Sequence, residues 1–549
     1  MNMGRSKRAG RKLVQYTPSE RPASPQHRPP IAVNSICRRA PFLGAIAVVS
    51  LFFSASRLTA DESAAPGEPS RPNVLMIAID DLNDWVEPLG GHPQVQTPAM
   101  ARLAERGVTF TNAHCQAPLC NPSRTSIMTA RRPTSTGIYG LQPWIRNVDE
   151  LSQLVTMPQY FSANGYKSLV GGKIHHGGNG RRNQPNLEAD VWGPPAKVGV
   201  RPKQKLIGST PGGNNPLMDW GTFPHKDEEK GDWAIASWAV DQLSELSKTP
   251  DQPFFLAAGF FLPHVPCYVT QKWYDMYPEE SLILPPIRDG DRDDTSESSW
   301  YIHWYLPEPR TSWLKENNQL KNLTRSYLAS ISFVDSQVGR ILDQLDSTGL
   351  ADNTIVVMWS DHGYHLGEKA ISGKNSLWRH STRVPLIISV PEGLTDFDVP
   401  KAVQCNQPAE LLDMYATLAQ LTGLPIPDGQ EGLSLVPQLV DPATPREKPA
   451  ICTHNAGNHS VCDTRWRYVV YADGAEELYD TVADPFEYEN LLASRENPQS
   501  HRNVIKRLAA YLPKEEKPLA PNSKARILEK RKDGFYWEEK KIVPEDKME

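Results

Sequence analysis

A chain of 549 residues can bury several cores, and its 59 Lys+Arg against 64 Asp+Glu leave a net charge of −5. Charges of both signs in near balance exclude a polyanion-binding footprint for the whole molecule, so no nucleic-acid partner is expected. Seven Cys, scattered and with no Cys-x-x-Cys pair, exclude a disulfide scaffold and a cysteine zinc site, although Cys452 and Cys462 could pair; 49 Pro predict long irregular connections.

Residues 1–40 are rich in Arg, Pro and Ser and nearly free of acid, the composition of a disordered basic region. The apolar run from Pro41 to Phe53 is too short to span a membrane comfortably and is preceded by basic residues. Small residues at Ser54-Ala55-Ser56 and Ala60 fit a signal peptide cut near Ala60, an uncleaved anchor being the alternative. Arg38-Arg39 resembles a twin-arginine export signal. The mature protein is therefore expected to be exported, periplasmic or secreted, with no stable membrane partner. Residues 61–70 read as a linker, 71–440 as a catalytic domain, and 441–549 as a smaller C-terminal α+β subdomain with its tail.

Asn73 to Ile79 is continuously apolar and ends in Asp80-Asp81, which predicts a strand buried on both faces, as in a parallel α/β sheet. Pro98 to Gly107 predicts a helix, as does Pro158 to Asn164. Lys167-Ser168-Leu169-Val170 predicts a short strand leading to Gly172-Lys173-Ile174-His175-His176. Residues 177–230 show no period and read as an insertion near the active face. A helix over Asp232–Leu246 precedes the strand Phe254–Gly259, which leads to Pro263-His264. Residues 267–320 are irregular, and Trp300, Trp304 and Trp313 are either packing anchors or surfaces for sugar rings. Tyr327, Ile331, Val334, Val338, Ile341 and Leu345 keep a helical period that Gly349 ends. Thr354–Trp359 and Leu386–Val390 predict strands, Ala409–Leu421 a helix, and Trp466–Tyr471 with Glu477–Asp480 a hairpin. The expected fold is α/β, a large mostly parallel sheet sandwiched by helices.

Cys120-Asn121-Pro122-Ser123-Arg124-Thr125 carries the chemistry. Pro122 suits a first helical turn, so a helix is expected from about Ser123, with Cys120 at its entrance. Free N–H groups and the macrodipole there favour an anion and lower a thiol's pKa. Cys120 taken alone reads more readily as a buried small hydrophobe or half of a disulfide than as a nucleophile. Four predicted strands end in polar clusters: Asp80/Asp81, Lys173/His176, His264 and Asp361/His362. In open α/β sheets ligands bind outside the carboxyl ends of the strands. Adjacent carboxylates joined by Asp361 suit a hard divalent cation, Ca²⁺ ahead of Mg²⁺, while His362 keeps zinc open. Arg124, Lys173 and Lys374 are candidates to neutralise charge developing on oxygen, and His175, His176 and His264 to move protons.

Together these residues resemble the formylglycine-dependent sulfatases of the alkaline phosphatase superfamily. Asn73–Asp81 is similar to that family's opening strand, Cys120–Arg124 to its signature, Gly165–Lys173 to its lysine segment, Thr354–Gly363 to its second metal pair, and Asp473–Leu491 to its ending. The Lys173-x-x-His176 spacing, Phe261–Pro266, and Ser360-Asp361-His362-Gly363 resemble the iduronate-2-sulfatase-like members; a Lys-x-His spacing would select His175 instead. The resemblance implies an alkaline-phosphatase-like fold and hydrolysis of sulfate esters, with a sulfated carbohydrate as substrate. It implies that Cys120 is oxidised to formylglycine by a formylglycine-generating or anaerobic sulfatase-maturating enzyme that reads Ser123 and Arg124. Asp80, Asp81, Cys120, Asp361 and His362 would hold Ca²⁺; Arg124, Lys173, His176, His264 and Lys374 would act with Cys120 in catalysis. The alternatives are a phosphate or phosphonate ester hydrolase of the same superfamily, or a non-catalytic binder of sulfated glycans.

Overall fold

The computed structural model describes residues 71–180, 188–493 and 501–543. The expected signal peptide and linker, residues 1–70, lie outside them. Eight strands form the main sheet: β1 (Asn73–Asp80), β2 (Val108–Phe110), β3 (Lys167–Gly172), β4 (Val191–Pro195), β5 (Phe254–Pro263), β6 (Thr354–Ser360), β7 (Leu386–Ser389) and β8 (Val403–Cys405). Their spatial order is β8-β2-β7-β6-β1-β5-β3-β4. β1 lies parallel to both β5 and β6, β3 to β4 and β5, and β8 to β2; β7 runs antiparallel to its two neighbours. The expected mostly parallel sheet is thus present, with one reversed strand.

Both faces of β1 are covered, which is why its sequence is continuously apolar. Val74, Met76 and Ala78 join the core beneath α2 (Cys120–Thr129), α3 (Met157–Ala163) and α6 (Asp413–Leu421). Leu75, Ile77 and Ile79 join the core beneath α1 (Pro98–Ala104), α4 (Gly231–Leu246) and α5 (Leu320–Ser347). The α5 periodicity read from Tyr327 to Leu345 is real, and the helix runs 28 residues before Gly349 turns the chain at φ 72°.

Some expectations are corrected. The stretch 177–230 holds β4, the sheet's edge strand, anchored where the amide of Ser168 donates to Asp190 (2.8 Å). Its two prolines hid it from a pattern reading, yet an edge strand tolerates residues that cannot donate. The helix expected from Ala409 begins at Asp413, because Ala409–Glu410 pair instead with Ala113–His114. Cys452 and Cys462 are not joined; the Cys452 sulfur lies 3.9 Å from that of Cys115.

Past residue 440, β9 (Ala450–Thr453), β10 (His459–Cys462), β11 (Trp466–Val470) and β12 (Glu476–Asp480) form an antiparallel sheet in chain order. The predicted hairpin is its β11–β12 pair. Beyond α7 (Arg502–Ala509), a three-stranded ribbon of β13 (Leu528–Arg531), β14 (Gly534–Trp537) and β15 (Lys540–Lys541) closes the described chain. Among the described residues no helix is long and apolar enough to cross a membrane.

Candidate active site

β1, β3, β5 and β6 all deliver polar residues to the carboxyl edge of the sheet, and α2 begins there. Between Ile79 and Asp80 the β1–β5 register shifts, a bulge that re-aims the strand's last side chain. Asp81 follows at φ 62°, a left-handed conformation that a non-glycine residue holds only where its surroundings fix it. Here the Asp81 amide donates to Asp361 Oδ1 (3.1 Å), and Tyr327 donates to the Asp81 carbonyl (2.6 Å).

The signature helix starts three residues earlier than expected, with Cys120 as its first residue. Pro122 costs nothing so early, because first-turn amides have no intrahelical partner. All ten residues of α2 are buried. Ser123 donates from its hydroxyl to the Asp361 carbonyl (2.6 Å), tying the helix start to the end of β6.

The Cys120 sulfur is the hub. It lies 3.2 Å from Lys374 Nζ, 3.3 Å from His362 Nε2 and 3.7 Å from Lys173 Nζ, and it hydrogen-bonds the His176 side chain. Burial opposes ionisation of the thiol, yet Lys173, Lys374 and His362 together hold its pKa well below the usual value.

Around the hub, three carboxylates meet three cations. Arg124 donates from Nη2 to Asp80 (3.0 Å) and from Nε to Asp361 (2.9 Å). Lys173 pairs with Asp80, and Lys374 with Asp81 at 2.6 Å. All six side chains are buried, so the pairing is obligatory: an unmatched charge there costs several kcal/mol. Burial is the largest influence on Asp80 and would raise it, but Lys173, His264 and Arg124 together outweigh burial and hold the carboxyl below its ordinary range. Asp361 is pushed up to about 6 by burial, which Arg124 and His362 only partly oppose. His362 is raised despite burial, chiefly by Asp361.

One carboxylate oxygen stands apart. Asp81 Oδ2 is buried without a hydrogen-bond partner. Asp80, Asp81, Cys120 and His362 each offer a ligand atom within 4.8 Å of the others. A buried acceptor lacking a donor, in a carboxylate-rich set, fits a hard divalent cation. Asp361, also expected as a ligand, adjoins this set without being part of it: both its oxygens already accept bonds, from the Asp81 and His362 amides and from Arg124.

Of the two neighbouring histidines, His176 touches Cys120, while His175 packs its ring against Trp144 at 4.9 Å and is lowered to about 4 by burial. His264 donates from Nδ1 to the Val265 carbonyl (2.5 Å), leaving Nε2 as the other ring nitrogen for ligand chemistry. It lines a cleft of about 740 Å³ together with Lys173, His176 and Phe261. The tryptophans are set mainly in packing: Trp304 is fully buried, and Trp300 lies under the Arg292 guanidinium at 3.3 Å.

Two participants have no role assignable from the sequence. Asn375, at φ 74°, anchors the Lys374 loop by donating its amide to the carbonyl of Pro118 (3.2 Å), just ahead of α2. Arg526, from the C-terminal tail, donates to Asn375 Oδ1 (2.5 Å) and Glu308 (2.6 Å). No local signal marks Arg526; it sits in a polar segment beyond the stretch that resembled any family.

Residues 72–424 match the sulfatase family profile. A sulfatase of Formosa agariphila is 38% identical over 469 residues, covering 83% of this chain and 89% of its own. Iduronate 2-sulfatase of Mus musculus is 32% identical over 413 residues, covering 67% of this chain and 72% of its own. Phosphonate monoester hydrolase of Silicibacter pomeroyi superposes with a TM-score of 0.64 at 19% identity over 85% of this chain and all of that one, a likeness of fold. Profile, relatives and the buried cluster around Cys120 agree: the chain belongs to the sulfatase family, sulfuric ester hydrolases of the alkaline phosphatase superfamily.

Proposed function

We propose that this chain hydrolyses a sulfate ester on a sulfated carbohydrate, with residue 120 oxidised to formylglycine and Ca²⁺ held by Asp80, Asp81, Asp361, His362 and the residue-120 side chain. The observation that carries this reading is Cys120 itself, held at the start of a buried helix against two lysines and two histidines. When present, the cation supplies Lewis acidity and charge neutralisation, and the hydrated aldehyde supplies the attacking hydroxyl.

The chain's own residues do the rest. Lys173 and Lys374 reach the position of the residue-120 side chain and bind sulfate oxygens as charge develops on them. Arg124 fixes Asp80 and Asp361 in orientation. His176 holds the proton at the nucleophilic atom. His264, facing the cleft, gives a proton to the departing sugar oxygen, with Lys374 as the second candidate donor. Three carboxylates balanced by three cations leave a bound divalent cation uncompensated, so the site attracts an anionic group.

Cys120, Ser123 and Arg124 are all buried, so the maturation enzyme must read them before the chain folds. The relative named iduronate 2-sulfatase supports a sugar sulfate. Arg38-Arg39 and the following apolar run support export, and 71–440 serves as the catalytic domain with 441–549 as its C-terminal subdomain.

The test is peptide mass spectrometry at residue 120 of protein from its native host, alongside sulfate release. Formylglycine and turnover of an aryl sulfate well above the matching phosphate or phosphonate are expected, with activity lost to a chelator and restored by Ca²⁺. An unmodified thiol in folded, exported protein that binds sulfated glycans without turnover would overturn the reading.

A further inference from the structure

The cleft that opens beside Cys120 carries two cations beyond the paired ones of the reaction site. Its inner end holds the buried Lys173, paired with Asp80, and the half-buried His176 and His264; its exposed rim carries Lys197 and Arg201. Among the described residues no Asp or Glu lines it, although the chain as a whole is net negative. Such a one-signed cleft concentrates anions.

The rim segment is held rigidly while its side chains stay exposed. Val200 donates its amide to the Glu229 carbonyl (3.0 Å), and Gly199 pairs with Lys230 at the start of α4. The contact is so close that a Cβ on Gly231 would lie 1.8 Å from the Lys197 carbonyl oxygen. α4 in turn is fixed to β5, because Asp232 accepts the amides of Phe261 (2.7 Å) and Leu262 (3.0 Å), just before His264. The backbone that carries the two rim cations is thus placed in fixed relation to the residues that face the reaction. At about 740 Å³ the cleft is in the upper part of the size range of ligand pockets, with room beyond the group carrying the ester. The half-buried Phe261 and Trp192 provide apolar walls for the faces of a ring.

We infer that Lys197 and Arg201 form a second anion subsite, which selects saccharides bearing a carboxylate or a further sulfate besides the ester that is cleaved. This inference rests on the carbohydrate sulfatase reading above and narrows its substrate class. The shared chemistry is a charge-assisted contact from a primary ammonium and a guanidinium to a fixed oxyanion.

The decisive experiment compares wild type with the Lys197→Ala/Arg201→Ala double variant on four compounds: an aryl sulfate, a monosulfated neutral sugar, a sulfated uronate and a disulfated glucosamine. The expected result is that KM for one or both dianionic sugars rises at least about tenfold more than KM for the neutral sugar and the aryl sulfate, with kcat little changed. Loss confined to the uronate assigns the subsite to a carboxylate, and loss confined to the disulfated sugar assigns it to a second sulfate. Equal effects on all four compounds, or none, would overturn the inference. If wild type cleaves no sulfate ester, the catalytic reading fails, and calorimetric titration of the same sugars still decides the subsite. Tighter binding of the dianionic sugars by wild type than by the double variant supports it; equal binding overturns it.

Discussion

Lys374 carries two duties at once, as partner to Asp81 (2.6 Å) and as donor toward the residue-120 side chain (3.2 Å). Lys374→Ala should therefore lower kcat on the order of 10²–10³-fold, the usual loss of a donor aimed at developing charge. It should also leave Asp81 buried and unpaired, at roughly 3–5 kcal/mol of stability. Steady-state kinetics and denaturant melts of the variant measure the two losses separately. A variant that melts like wild type would show that Asp81 has another partner. Arg124 is different: burial lowers its basicity, but Asp361 and Asp80 more than compensate, so it stays charged throughout the working range.

At the scale of elements, the approach of β3 to β5 decides where Lys173 can stand. Gly172 has φ 73°, and a Cβ there would lie 1.9 Å from the Gly259 carbonyl oxygen. Gly172→Ala should cost at least about 2 kcal/mol, from the left-handed conformation and the clash together, and should displace Lys173; thermal unfolding and kcat should fall together. At the start of α1, Asp335 of α5 accepts the amides of Ala99 (3.0 Å) and Met100 (2.8 Å). Burial pushes its carboxyl up to about 7 from an ordinary 3.8, against those two bonds and Arg102. The unfolded chain releases this proton near 3.8 and the folded chain only near 7, so its contribution to stability is full below 3.8 and is lost as pH rises toward 7. Asp335→Asn cannot ionise, so its stability relative to wild type should improve between pH 4 and pH 7, as read by urea unfolding across that range.

Across the whole molecule, the site is completed from the far end of the chain. Arg526 reaches Asn375 over a separation of 151 residues, and Asn375 anchors the loop that presents Lys374. The tail is fastened to the segment after α2: Leu141 donates its amide to the Ala525 carbonyl (3.0 Å), and Ala520 donates to Gly137 (2.9 Å). Arg526→Ala should lower kcat about 10- to 100-fold, the usual cost of losing a partner that orients a reacting group. KM for an aryl sulfate should move less than kcat, and Arg526→Lys should recover part of the loss. Equal losses in the Lys and Ala variants would point to packing rather than orientation.

Local sequence determined much of this protein. Continuous apolar runs had to be strands covered on both faces, and their polar endings had to meet at one edge of a parallel sheet, which brought Asp80, Lys173, His264 and Asp361 together on paper. The choice between His175 and His176 needed the structure, because only the turn after β3 sets which ring reaches Cys120. β4 was invisible because its pairing partner, not its own pattern, makes it a strand. Arg526 was invisible because a contact across the chain leaves no trace in periodicity or spacing. Sequence order sets which residues end each strand; tertiary structure alone decides which distant charges are buried against one another, since burial turns a charge from a solvated side chain into one that must have a partner.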